Sequence, residues 1–124
     1  MFITDEKLKQ MPYENLPVDF DVSSWEQVQA FLEELVQHDV STIDNLETML
    51  LKYSDLLKCM ADELSWRYIK MTVNADDETK EQAYNDYFAN IYAPAEAYQF
   101  KIKKRFYESP VRTELDSKKY SLLN

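Results

Sequence analysis

The sequence contains no glycine and only four prolines among its 124 residues. Tight turns and β-bulges depend on glycine, so this composition argues against an all-β or loop-rich architecture. Phosphate-cradling loops of the P-loop and dinucleotide-binding types also require glycine, and the chain therefore excludes them. Helices need no glycine, and the composition favours an all-α fold.

Cysteine and histidine each occur once, as Cys59 and His38. A single cysteine forms no internal disulfide, which fits a reducing compartment. A zinc site needs three or four ligands, and the sequence has no H-E-x-x-H pattern. Leu35 stands three residues before His38, where a di-iron bundle requires glutamate. We therefore predict no catalytic, cofactor-binding or metal-binding residue in this chain.

Long apolar runs are also missing. No segment approaches the roughly 18 apolar residues of a membrane-spanning helix. The N-terminal "MFITDEKLKQ" places acidic residues where a signal peptide has cations, and it has no apolar core of its own. These features predict a cytoplasmic protein without a membrane partner.

Positive charge is scarce in most of the chain. The formal net charge is −9, with −13 in the first hundred residues and +4 from Lys101 onward. An acidic surface repels phosphate backbones, so nucleic acid is not an expected partner. The basic run from Lys101 to Arg105 is typical of a helix C-terminus, where cations complement the helix dipole.

Hydrophobic spacing predicts three helices, over residues 24–38, 43–72 and 78–108. The two long helices are joined by a short link, which makes them antiparallel. A kink near Ser54-Asp55 is the alternative to one continuous helix over 43–72. The predicted segments are an N-terminal arm over 1–22, an antiparallel helical bundle over 23–108, and a C-terminal turn with a short helix over 109–124.

Capping residues support these boundaries. Ser23 and Glu26 form a capping box for the first helix, and Ser24 with Gln27 offers the same arrangement one residue later. The second helix has a cap at Ser41 or Thr42, and the third has one at Asp76 or Asp77. Asn74 takes the left-handed position after the second helix, and Pro94 kinks the third without ending it.

Each long helix carries one apolar stripe, and these stripes predict the core. On the second helix the stripe is Leu46, Leu50, Tyr53, Leu57, Met60, Leu64, Tyr68 and Met71. On the third it is Tyr84, Tyr87, Phe88, Ile91, Ala95, Tyr98, Ile102 and Phe106. Further apolar residues lie off the stripes: Leu51, Trp66, Ile69, Tyr92, Phe100 and Tyr107.

The predicted lengths leave apolar surface without a cover. A helix of thirty residues is about 45 Å long, whereas the first helix is only about 22 Å long. The first helix therefore covers about half of the hairpin. The remaining surface is expected to be covered by self-association, by another protein, or by polypeptide outside this sequence.

Two segments carry a resemblance to a known family. "WRYIKMTVNADDE" at residues 66–78, followed by "AYNDYFANIYAP" at residues 83–94, resembles the N-terminal helical region of oligoendopeptidase F-like enzymes. These enzymes belong to the thimet oligopeptidase group of zinc metallopeptidases. The resemblance implies a large helical enzyme whose N-terminal helices form part of a channel wall that admits only short peptides.

The same resemblance implies that the catalytic region is absent from this chain. In such enzymes zinc is held by an H-E-x-x-H helix and a downstream glutamate, so zinc and oligopeptide substrate are expected only in the full-length parent. The expected partner is then that missing catalytic region. The alternative is a free-standing helical interaction or dimerisation module that uses the uncovered stripe.

The uncovered surface generates a first prediction. The isolated chain should self-associate as its concentration rises, because the exposed apolar groups lose contact with water in an oligomer. Sedimentation velocity over a concentration series measures this. A strictly monomeric profile at the highest concentration would count against an uncovered apolar face.

Overall fold

A computed structural model describes residues 13–70 and 75–117, with the side chain of residue 70 left out. Within these ranges the chain is helical and contains no strand. The α-helices are α1 (Trp25–Val36), α2 (Ile43–Ser65), α3 (Asp77–Tyr87), α4 (Ala93–Glu108) and α5 (Arg112–Asp116). The predicted all-α hairpin with a shorter first helix is confirmed.

Two π-helical turns extend these helices into longer rods. The turn Trp66–Lys70 continues α2, and the turn Phe88–Tyr92 joins α3 to α4. The first rod thus runs over residues 43–70 and the second over residues 77–108. No break occurs at Ser54, so the single-helix prediction holds through residue 70. The predicted end of this helix, including Met71 and Asn74, lies outside the described residues.

The position of the second π-helical turn has a local cause. Pro94 has no backbone N–H and its ring crowds the preceding turn of an α-helix. The wider π turn over Phe88–Tyr92 ends just before it, and the helix then resumes at Ala93. Proline therefore alters the helix without ending it, as the uninterrupted apolar period predicted.

The sequence offered two candidates for each of three N-caps, and the structure selects one in each case. Ser24 rather than Ser23 is the N-cap of α1, and its side chain accepts a hydrogen bond from the Gln27 amide at 3.5 Å. Thr42 caps α2 by accepting from the Asn45 amide at 3.2 Å. Asp76 caps α3 through the Thr79 amide at 2.8 Å.

Contacts at both ends show that the rods are antiparallel. At one end the turn Trp66–Lys70 packs against α3. At the other end the Ser109 hydroxyl donates to the Val40 carbonyl at 2.5 Å, just before the first rod begins. The short helix α5 then packs back on α2.

Helix α1 packs against both α4 and α2, and most of the core lies around it. Twelve residues make α1 about 18 Å long, so it covers less than half of either rod. The largest fully buried side chains are Leu32, Leu35, Leu46, Met49, Leu50, Leu56, Met60, Ile102, Leu115 and Val28.

Five described residues of the predicted stripes lie outside the buried core, and two of them, Tyr84 and Tyr98, are partly buried. Leu57 is only partly buried, whereas its neighbour Leu56 is fully buried. Tyr68 and Phe88 are exposed by 45% and 37%, although both were predicted in the core. Tyr68 lies in the π-helical turn at the end of the first rod, and Phe88 begins the turn Phe88–Tyr92, which α1 contacts. None of the described helices is long and apolar enough to cross a bilayer.

The contrast between two adjacent leucines is testable. Leu56→Ala should lower the free energy of unfolding by about 2–5 kcal/mol, because it leaves a cavity in a fully buried position. Leu57→Ala, the matched neighbour, should cost distinctly less since its side chain already meets solvent. Urea unfolding followed by circular dichroism measures both. Equal losses for the two variants would mean that the assigned core face is wrong.

Candidate functional site

His38 and Cys59 have the side chains best suited to metal binding or nucleophilic chemistry, but in the described structure neither is placed for such a role. His38 follows α1, and its backbone carbonyl accepts a hydrogen bond from Arg105 Nη2 at 2.8 Å. Cys59 lies on α2, partly buried against the core. In the ranges that the structure describes, no cluster of three or more His, Cys, Asp or Glu residues could hold a metal ion. These residues therefore do not fit zinc.

Cys59 is a poor nucleophile in this setting. Burial raises the pKa of its thiol from 9.0 to about 11, and the nearby carboxylates Asp62, Glu63 and Asp55 add to the increase. A reactive cysteine needs cations or a helix N-terminus that favour the thiolate. Here the surroundings favour the neutral thiol instead.

The carboxylates on the same side of α2 hold the N-terminal arm. Asp55 Oδ2 accepts from the Asn15 amide at 2.9 Å and from Asn15 Nδ2 at 3.0 Å. The Tyr13 hydroxyl donates to Asp62 Oδ2. Asp55 is only 7% exposed, and the two hydrogen bonds that it accepts from Asn15 compensate for its burial. Sequence spacing had not indicated this anchor, because its partners are some 40 residues apart.

Four aromatic rings form a row that runs along the second rod and onto the first. Tyr84, Phe88 and Tyr92 stack at four-residue spacing, with ring centroids 6.1 Å and 5.4 Å apart. Tyr68 on the first rod meets Tyr84 edge-on at 6.0 Å. We call Tyr68, Tyr84, Phe88 and Tyr92 the aromatic row.

A cleft of about 140 Å³ lies between the rods next to this row. One wall of the cleft is formed by α2, and the other by the start of α4 and the turn before it. Leu32 of α1 also lines the cleft. The lining residues are Leu32, Tyr53, Leu56, Leu57, Met60, Tyr92, Ala95, Glu96 and Gln99. Leu57 is partly exposed because it lines this cleft.

Tyr53 is the buried polar group of the cleft. Its side chain is 2% exposed and lines the cleft. Burial raises its pKa to about 12, with smaller contributions from Tyr92 and Glu96. The hydroxyl is therefore neutral at physiological pH and can both donate and accept a hydrogen bond.

Tyr92 joins the two features into one surface. Its ring stacks on Phe88 of the row and also lines the cleft. We call the row together with the cleft the aromatic face. Such a face can bind apolar and amide groups through ring surfaces and tyrosine hydroxyls, and Glu96 is the one charged residue among the described residues that line its cleft.

Residues 11–123 match the family described as the peptidase M3 N-terminal domain. The chain belongs to this family. Neither a curated protein nor a solved structure matches the chain. The peptidase M3 N-terminal domain is the N-terminal region of thimet- and oligoendopeptidase-like metallopeptidases, so the resemblance carried by residues 66–78 and 83–94 is confirmed.

Sequence reasoning found part of the aromatic face of this peptidase M3 N-terminal domain. The spacing of Tyr84 and Phe88 identified a shared helix face, and Tyr92 was recognised as an extra apolar group. The cleft itself was missed, because it depends on the distance between the two rods. The sequence feature that could have indicated the cleft is Glu96, a charged residue near Tyr92 and Ala95 at the edge of an apolar stripe.

The raised pKa of Cys59 predicts slow thiol chemistry. At pH 8 a thiol with a pKa of about 11 has a thiolate fraction about a hundredfold smaller than a thiol with a pKa of 9.0. The more basic thiolate is also more nucleophilic, but this offsets only part of the difference in rate. We expect alkylation by iodoacetamide to be at least about tenfold slower in the folded chain than in urea. The rate should keep rising up to about pH 11. Equal rates in the two conditions would contradict the burial of the thiol.

Proposed function

We propose that this chain forms part of the wall of a peptide-binding channel in an M3 metallopeptidase and restricts access to short peptides. By itself it is inactive in this proposal. The observation that carries the proposal is the family match over residues 11–123, combined with one exposed aromatic face.

The aromatic face is suited to this role. Tyr68 and Phe88 remain 45% and 37% exposed, so the row presents ring surface to the solvent. Contiguous apolar surface of this kind is typical of a ligand groove or a protein contact. Tyrosine combines an apolar ring with a hydroxyl, and this combination matches the mixed character of an extended peptide.

The proposal assigns the chemistry to the remainder of the enzyme. Zinc and the catalytic groups would belong to the catalytic region of the same polypeptide, which is the partner that we propose for this chain. The described residues hold the fold and shape the surface, and they provide no zinc site. The cytoplasmic location predicted from the sequence is part of the same proposal.

A free-standing helical interaction module is the second candidate. The observation in its favour is the exposure of Phe100 and Tyr107, 75% and 51%, on α4 beyond the cleft. These rings are separate from the aromatic row and offer apolar surface to a helix of another protein or a second copy.

A reconstitution experiment tests the channel-wall proposal. The catalytic region of an M3 peptidase lacking its own N-terminal domain is assayed with a series of quenched peptides of increasing length, with and without this chain. We expect no hydrolysis by the chain alone with added zinc. We expect added chain to suppress cleavage of the longer peptides while cleavage of the short ones continues.

Variants separate the two candidates. Phe88→Ala, which removes a ring of the row, should weaken the length restriction, whereas Phe100→Ala should leave it unchanged. Hydrolysis by the pure chain would contradict the proposal. A chain that never associates with the catalytic region, but self-associates through Phe100, would support the interaction module instead.

A further inference from the structure

We infer that the cleft binds the side chain of a basic residue, arginine or lysine, of an oligopeptide. This inference rests on the proposed function, since the peptides would be those of the channel. It names the class of peptide that the wall selects.

The size of the cleft suits a single side chain. Its volume of about 140 Å³ is close to that of an apolar cavity of about 150 Å³ that admits benzene. Leu57, Met60 and Ala95 line it with apolar groups that can contact the methylenes of a long side chain. Lysine and arginine commonly bury such stems while their charged heads stay near water.

The polar groups of the cleft are complementary to a cation. Glu96 is exposed, and it is the one charged residue among the described residues that line the cleft. Tyr53 also lines the cleft, and its hydroxyl can accept a hydrogen bond from an ammonium or guanidinium group. The ring of Tyr92 offers a face for a cation–π contact.

The same pairing of cation and tyrosine recurs elsewhere in the chain. Arg67 lies over the Tyr87 ring at 5.1 Å, Lys101 over Tyr98 at 5.2 Å and Arg112 over Tyr107 at 5.6 Å. In the cleft, by contrast, Tyr53 and Tyr92 line a space that none of the described cations lines. A basic residue from a peptide would complete the arrangement there.

Other side chains fit less well. A carboxylate would be repelled by Glu96 and by the net charge of −13 over the first hundred residues. An aliphatic side chain would fill the cleft but would donate no hydrogen bond to the Tyr53 hydroxyl and would leave Glu96 beside an apolar group. The charges therefore favour a cation over both.

A set of matched peptides tests the inference on the full chain. The peptides share one neutral, unstructured sequence and differ at the central position, which carries arginine, lysine, norleucine or glutamate. Binding is followed by calorimetry and by NMR at the Met60 and Ala95 methyl groups. Arginine and lysine should bind more tightly than norleucine, and glutamate should bind most weakly.

Two variants of the cleft sharpen the test. Glu96→Gln should weaken the arginine and lysine peptides by about two- to fivefold and leave norleucine unchanged. Tyr53→Phe should also weaken the basic peptides selectively. Glu81→Gln, an exposed glutamate on α3 outside the cleft, is the matched control and should have no effect. Circular dichroism confirms that each variant is folded.

The outcomes are separable from those of the reconstitution experiment. Equal binding of the arginine and norleucine peptides, or an unchanged affinity in Glu96→Gln, would overturn the cation site even if the chain still restricts peptide length. Selective binding of basic peptides by a chain that does not restrict peptide length would support the cleft and overturn the channel-wall proposal.

Discussion

The packing of α1 against both rods is the interaction on which the remaining structure depends. Val28, Leu32 and Leu35 are at most 1% exposed, and this short helix joins α2 to α4 along one part of the hairpin. Removal of these apolar side chains from water is the main favourable contribution to folding. Because α1 covers less than half of either rod, parts of both rods lie beyond it, and the cleft lies where Leu32 of α1 meets the two rods.

Polar groups in this domain are used to hold elements together. Asp55 binds the arm through Asn15, and the Ser109 hydroxyl joins the end of the second rod to Val40. The buried Tyr87 hydroxyl donates to the Val22 carbonyl at 3.0 Å. Each bond satisfies a group that would otherwise be buried without a partner, which is costly.

Tyrosine therefore has two distinct uses in this peptidase M3 N-terminal domain. Tyr87 is 2% exposed, and its hydroxyl is bonded within the core. Tyr53 is equally buried and lines the cleft. Tyr84 and Tyr92 present their rings along the aromatic row.

The sequence by itself determined the helices, the antiparallel hairpin and the family, and it narrowed two caps to Ser41 or Thr42 and to Asp76 or Asp77. These features depend on residues close together in the chain. It placed most of the core correctly but not Leu57, Tyr68, Tyr84, Phe88 and Tyr98, and it did not reveal the cleft. Those features depend on where a third helix crosses the other two and how far it reaches. Only the tertiary structure decided them, since helical periodicity identifies an apolar face but not the element that covers it.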